Sequence, residues 1–117
     1  MSASGRGRFT RVVKSGQRLE HIIKAKVNGT GTAAITLGGQ ELTLVDNGTG
    51  DYSFTYAQAF KQTPEVYAQI IDDYGFIQVT TESATGFDIN IVDTDGSTAL
   101  DAEFSLLIIG SDAEGEV

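Results

Sequence analysis

The side chains able to do chemistry are few, and their spacing decides what they can do. The chain of 117 residues holds one histidine, His21, and no cysteine. Disulfides, thiolate metal sites and cysteine nucleophiles are therefore excluded. His21 stands beside Ile22 and Ile23, where an imidazole reads as a structural side chain on a strand rather than as a general base. No Gly-x-Ser-x-Gly elbow, His-Glu-x-x-His pair or phosphate loop is found along the chain. Three acidic turns remain: Asp46-Asn47-Gly48-Thr49-Gly50-Asp51, Asp72-Asp73-Tyr74, and Asp93-Thr94-Asp95-Gly96-Ser97 with Asp101 nearby. The last superficially resembles a calcium loop. Hard cations need several oxygen ligands converging from one loop, with a glycine after the third ligand and a bidentate Glu six residues on. Here the glycine follows directly on the second Asp and that Glu is missing. A β-turn in which Asp95-Gly96 supplies the left-handed conformation is the expected structure, and the 46–51 segment reads the same way. Asp72 and Asp73 are expected to be solvated acids at a turn. The expectation is a non-enzymatic protein with no catalytic residue, no metal ligand and no cofactor.

The other chemistry is charge. The formal net charge is −8, but it is split along the chain. Residues 1–26 carry Arg6, Arg8, Arg11, Lys14, Arg18, Lys24 and Lys26 against Glu20 alone, a net of +6. Residues 27–117 carry Lys61 against fifteen acids, a net of −14. Such asymmetry points to a basic segment that meets an anionic partner. Arg6, Arg8, Phe9, Arg11, Lys14 and Arg18 are the candidate partner-binding residues, with Phe9 an apolar anchor among them. Nucleic acid, anionic lipid, an acidic protein surface and the acidic body of a neighbouring copy all fit such an arm. The acidic body would repel nucleic acid and an anionic membrane, so neither is an expected partner. No apolar run approaches the roughly 20 residues of a membrane helix, and no secretory signal follows the charged start.

The elements that position these groups are read from glycine turns and period-two alternation. Fourteen glycines and one proline punctuate runs rich in Val, Ile, Thr, Phe and Tyr. Strands are expected at 21–28, 32–37, 41–45, 51–56, 66–72, 76–82, 86–92 and 103–109. Tyr52, Phe54 and Tyr56 alternate onto one face, and Phe87, Ile89, Ile91, Phe104, Leu106 and Ile108 do likewise, so these are core candidates. Phe60 and Ala59 are expected to tuck against that core, and Pro64 to open the following strand. A short helix from Val12 to Ile23 is opposed by Gly16 and by the β-branched pairs Val12-Val13 and Ile22-Ile23. The expected fold is all-β, an antiparallel β-sandwich (jelly-roll-like) of about eight strands with an extended N-terminal arm. Residues 1–19 form the basic arm, 20–110 the sandwich domain and 111–117 an acidic C-terminal tail.

The second half of the chain runs Tyr52-Ser53-Phe54-Thr55-Tyr56, Ala59-Phe60, Thr63-Pro64 with Val66, Gly86-Phe87-Asp88-Ile89-Asn90-Ile91, Asp93-Thr94-Asp95-Gly96 and the closing Phe104-Ser105-Leu106-Leu107-Ile108-Ile109-Gly110. On these motifs residues 50–110 resemble the small β-sandwich domains of tailed-bacteriophage virion proteins, capsid decoration and fibre-tip domains of the H-type lectin-like kind. H-type lectins usually carry a tryptophan in the last strand. This chain has none, and no sugar-contacting residue set carries over. The resemblance implies a homotrimer on the outside of a virion. A short chain starting with its own methionine, without fibre shaft or second domain, is expected to attach by its own surface or arm. The expected function is that of a viral structural protein, a capsid decoration (cement) protein at the capsid surface. It would dock through its arm on the major capsid protein or another virion protein. The alternative is a carbohydrate-binding module of a phage tail fibre or adhesin.

Overall fold

A computed structural model describes residues 11–15 and 18–111, and for those up to residue 19 the course of the backbone alone. Nine strands run in order: β1 (Arg11–Ser15), β2 (Arg18–Asn28), β3 (Ala34–Leu37), β4 (Leu42–Gly48), β5 (Asp51–Tyr56), β6 (Glu65–Ile70), β7 (Phe76–Thr80), β8 (Gly86–Val92) and β9 (Glu103–Ser111). They form two antiparallel sheets packed face to face. The first has the order β1-β2-β9-β6, with β3 also pairing with β2, and the second the order β4-β5-β8-β7. The expected all-β antiparallel sandwich is therefore the fold. Its first full-length strand, β2, pairs with its last, β9, and the remaining neighbours are mostly local hairpins.

Eight of the nine strands lie where alternation and turn residues place them. The ninth, β1, falls inside the span read as an arm, where its backbone pairs with β2 from Arg11↔Ile22 to Ser15↔Arg18. The β-branched Val12-Val13 pair is the sequence signal for a strand there. β2 correspondingly starts at Arg18 rather than at His21.

Alternation explains the core. From β2 come Ile23, Ala25 and Val27, from β9 Phe104, Leu106 and Ile108, from β5 Tyr52, Phe54 and Tyr56, and from β8 Phe87, Ile89 and Ile91, all buried. The aromatic strand β5 thus faces inward. Phe54 stacks on Phe87 at 5.0 Å and meets Phe104 edge-on at 6.2 Å, which ties the sheets together. Phe60 is buried and meets Tyr56 edge-on at 4.9 Å, whereas Ala59, expected beside it, is exposed. Phe60 takes the space because Gly110 leaves it open: a Cβ on Gly110 would lie 2.6 Å from the Phe60 ring. Pro64 is buried immediately before β6, where no ladder donor is needed.

A polar network closes one end of the sandwich. The Tyr52 hydroxyl donates to Asp101 Oδ1 at 2.5 Å and lies 3.2 Å from the Gly29 carbonyl. The Gly50 N–H donates to the same Asp101 oxygen at 2.9 Å. Burial first, and then the bond to Asp101, raise the Tyr52 ionisation well above the ordinary tyrosine value. Gly29 N donates to the Ala102 carbonyl at 3.0 Å and Gly50 O accepts from Ile91 N at 2.9 Å. The β2–β3, β4–β5 and β8–β9 connections are thereby gathered at one end.

Two substitutions separate packing from this network. Phe104→Ala removes the ring shared between the sheets and is expected to cost about 3–5 kcal/mol in urea unfolding. Tyr52→Phe keeps the ring and is expected to cost about 1–2 kcal/mol, from a buried bond lost. No measurable loss in Tyr52→Phe would show that the Asp101 bond does not hold this end together.

Candidate functional site

The two outer faces of the sandwich differ in chemistry. On the β4-β5-β8-β7 sheet the outward row Val45, Ser53, Asp88 and Thr80 is largely polar. On the first sheet, β2–β9 pairing sets Lys24 opposite Leu107, and β9–β6 pairing sets Leu107 opposite Tyr67. The next row holds Lys26 opposite Ser105, with Leu37 of β3 on its other side. Leu37 and Tyr67 are each 54% exposed and Leu107 37%. With Lys24, Lys26 and Gln69 they line a shallow groove of about 380 Å³. The Tyr67 hydroxyl donates to Glu65 Oε1 at 3.1 Å, and this bond raises its ionisation. The groove is thus an apolar floor with two ammonium groups on it.

Lys24 and Lys26 thus lie on the sandwich itself, exposed on the outer side of β2. Arg11 and Lys14 lie on β1, with Lys14 in register with Leu19, and Arg18 opens β2 opposite Ser15. Arg6, Arg8 and Phe9 lie outside the described residues, as does the 112–117 part of the acidic tail. Arg18 and Ser15, paired at the start of β2, lie toward the end of the sandwich opposite the Tyr52–Asp101 network, because β2 runs from Arg18 toward Asn28.

The network end is acidic. The segments 46–51, 71–75 and 93–103 carry Asp46, Asp51, Asp72, Asp73, Asp93, Asp95, Asp101 and Glu103, and no Lys or Arg. Within it the β6–β7 connection projects Tyr74, 84% exposed, beside Asp72 and Asp73, with Ile71 and Phe76 also exposed. Asp72 Oδ1 accepts from the Glu103 N–H at 3.0 Å and Asp73 Oδ1 from the Tyr74 N–H at 2.7 Å. Ile71, Asp72, Asp73 and Tyr74 outline an open pocket of about 240 Å³.

The calcium-like segment is a hydrogen-bonded turn. Asp95 Oδ1 accepts from the Ser97 and Thr98 N–H groups at 2.8 and 2.9 Å, and Oδ2 from the Thr98 hydroxyl at 2.5 Å. Gly96 takes φ 81°, the left-handed conformation expected there. Both carboxylate oxygens are therefore engaged in closing the turn. His21 is fully buried on β2, with its ring edge-on to Phe60 at 6.1 Å and Nε2 3.8 Å from Glu41 Oε1. It belongs to the interior between the sheets rather than to either groove.

The groove partners Leu37, Tyr67 and Leu107 escape a reading that assigns strands one face at a time. The signal is present, since Leu106-Leu107-Ile108-Ile109 lacks the polar alternate residues of a solvated face. No protein-family model, curated protein or solved structure matches this chain.

Asp95 gives a prediction about pH. The hydrogen bonds from Thr98 and Ser97 lower its carboxyl from 3.8 to about 2. A depressed carboxyl stabilises the fold above its unfolded value and loses that contribution as pH falls through the folded one. Carboxyl-carbon NMR is expected to give Asp95 a midpoint of about 2, with the 93–98 turn loosening over the same interval. A midpoint at or above the ordinary value would contradict the turn geometry.

Proposed function

We propose that the chain is a non-enzymatic structural protein of a virion. In this reading it is a capsid decoration protein of a tailed bacteriophage, docked on the capsid surface through its basic N-terminal arm and acting as a homotrimer. The observation that carries the reading is the segregation of charge. The arm leads into the β1–β2 hairpin at one end of the sandwich, and the connections crowded with Asp lie at the other. Such polarity orients an approaching molecule arm-first on an acidic shell and holds the acidic end away from it. Charges of this kind set register and association rate more than affinity. Arg and Lys interleaved with Phe9 and the Val12-Val13 pair suit a segment that docks on the major capsid protein or another virion protein.

A second reading, a carbohydrate-binding module of a tail fibre or adhesin, has one observation in its favour. Exposed Tyr74 beside Asp72 and Asp73 offers a ring for stacking and carboxylates for sugar hydroxyls. Binding on a glycan array, lost in Tyr74→Ala, would select it over the first.

Attachment is tested by density-gradient sedimentation with icosahedral particles. The full chain is expected to band with particles at a stoichiometry matching their capsomers. A chain lacking residues 2–10, or carrying Arg11→Ser, Lys14→Ser and Arg18→Ser, is expected to stay at the top while keeping its β circular-dichroism spectrum. Full occupancy by both altered chains would refute arm docking.

A further inference from the structure

Seven large apolar side chains are exposed among the described residues, and six of them fall into two patches. Leu37, Tyr67 and Leu107 lie in the groove with Lys24 and Lys26. Ile71, Tyr74 and Phe76 lie at the β6–β7 connection with Asp72 and Asp73. Each patch pairs apolar area with two charges of one sign, and the signs are opposite. Exposed apolar area rimmed by charge marks an interaction surface, and matched potentials select the partner.

We infer that the β6–β7 connection of one copy seats in the β2–β9–β6 groove of the next, with Tyr74 on the apolar floor and Asp72 and Asp73 against Lys24 and Lys26. A second copy fits the groove better than an unrelated acidic peptide, because the chain itself carries the complementary patch. The contact is also self-consistent in shape. The groove is concave, and the connection is a projecting turn whose backbone is pinned by Ile71 N to Glu103 O at 2.8 Å and by Glu103 N to Asp72. Little ordering cost therefore falls on the loop when it docks. Glu65, bonded to Tyr67, and Glu103, two residues along β9 from Ser105, share this outer face. A groove-to-groove dimer would set Lys24 and Lys26 against their own copies.

Made head to tail, such a contact is heterologous and closes as a ring; made reciprocally it would close a two-fold dimer, which the homotrimer of the proposed function excludes. The groove lies on a sheet face and the connection at the end of the same sheet, so successive copies turn relative to one another. That turn favours a small closed ring over a straight filament. The inference rests on the homotrimer of the proposed function but not on attachment to a shell. It is therefore tested in solution without particles.

Light scattering coupled to size exclusion on the full chain is expected to show a discrete oligomer of three or more copies. Lys24→Glu with Lys26→Glu is expected to weaken association by at least about tenfold. Asp73→Lys, which leaves the Asp72 bond to Glu103 intact, is expected to weaken it as well, and Asp73→Lys combined with Lys24→Glu and Lys26→Glu to restore association in part. Tyr74→Ser, at an exposed position outside the core, is expected to weaken association with the fold intact. A monomer at all concentrations, a dimer, or association indifferent to both charge swaps and to Tyr74→Ser would overturn the inference. Loss of shell attachment with the oligomer intact would instead refute the proposed function alone.

Discussion

The antiparallel pairing of β2 with β9 is the constraint on which the rest of the molecule depends. Its register runs unbroken from Glu20↔Ser111 to Asn28↔Glu103. Because side chains alternate along a strand, this one register sends Ile23, Ala25 and Val27 inward while Lys24 and Lys26 go outward. A slip of one residue would exchange the two sets, burying the lysines and exposing the isoleucine and valine. Burying unpaired ammonium groups costs far more than the alternative contacts return. The core and the basic face are thus two sides of the same choice.

The second sheet depends on that choice through its aromatics. Phe104 of β9 meets Tyr52 at 5.6 Å and Phe54 at 6.2 Å, so the position of β9 fixes where β5 packs. Tyr52 in turn reaches Asp101 and Gly29, which places the acidic connections together at one end. Charge polarity along the molecule is therefore a consequence of packing and is not confined to the arm.

Most of the fold is legible in the sequence because period-two alternation and glycine turns are local signals. Asp51–Tyr56 and Gly86–Val92 lie at their expected bounds, since each is flanked by glycine and alternates without a break. β1 is less legible: five residues with a single β-branched pair carry little pattern, and its partner β2 supplies the pairing. The groove is legible only in part. Lys24 and Lys26 stand out by charge, but Leu37, Tyr67 and Leu107 come from three strands distant in sequence and meet through β2, β6 and β9 pairing. A bulge between Lys26 and Val27 brings Leu37 to the outer face, and nothing in Thr36-Leu37-Gly38 announces it.

In the proposed assembly the outer face of β2, β9 and β6, with Lys24 and Lys26 on it, is one half of the contact between copies and the β6–β7 connection is the other. Lysine footprinting by acetylation and mass spectrometry tests it directly, because Lys61 lies elsewhere, in the β5–β6 connection, and serves as an internal control. On passing from dilute to assembled protein, Lys24 and Lys26 are predicted to lose reactivity while Lys61 keeps it. Unchanged Lys24 and Lys26 with Lys61 protected would contradict the account.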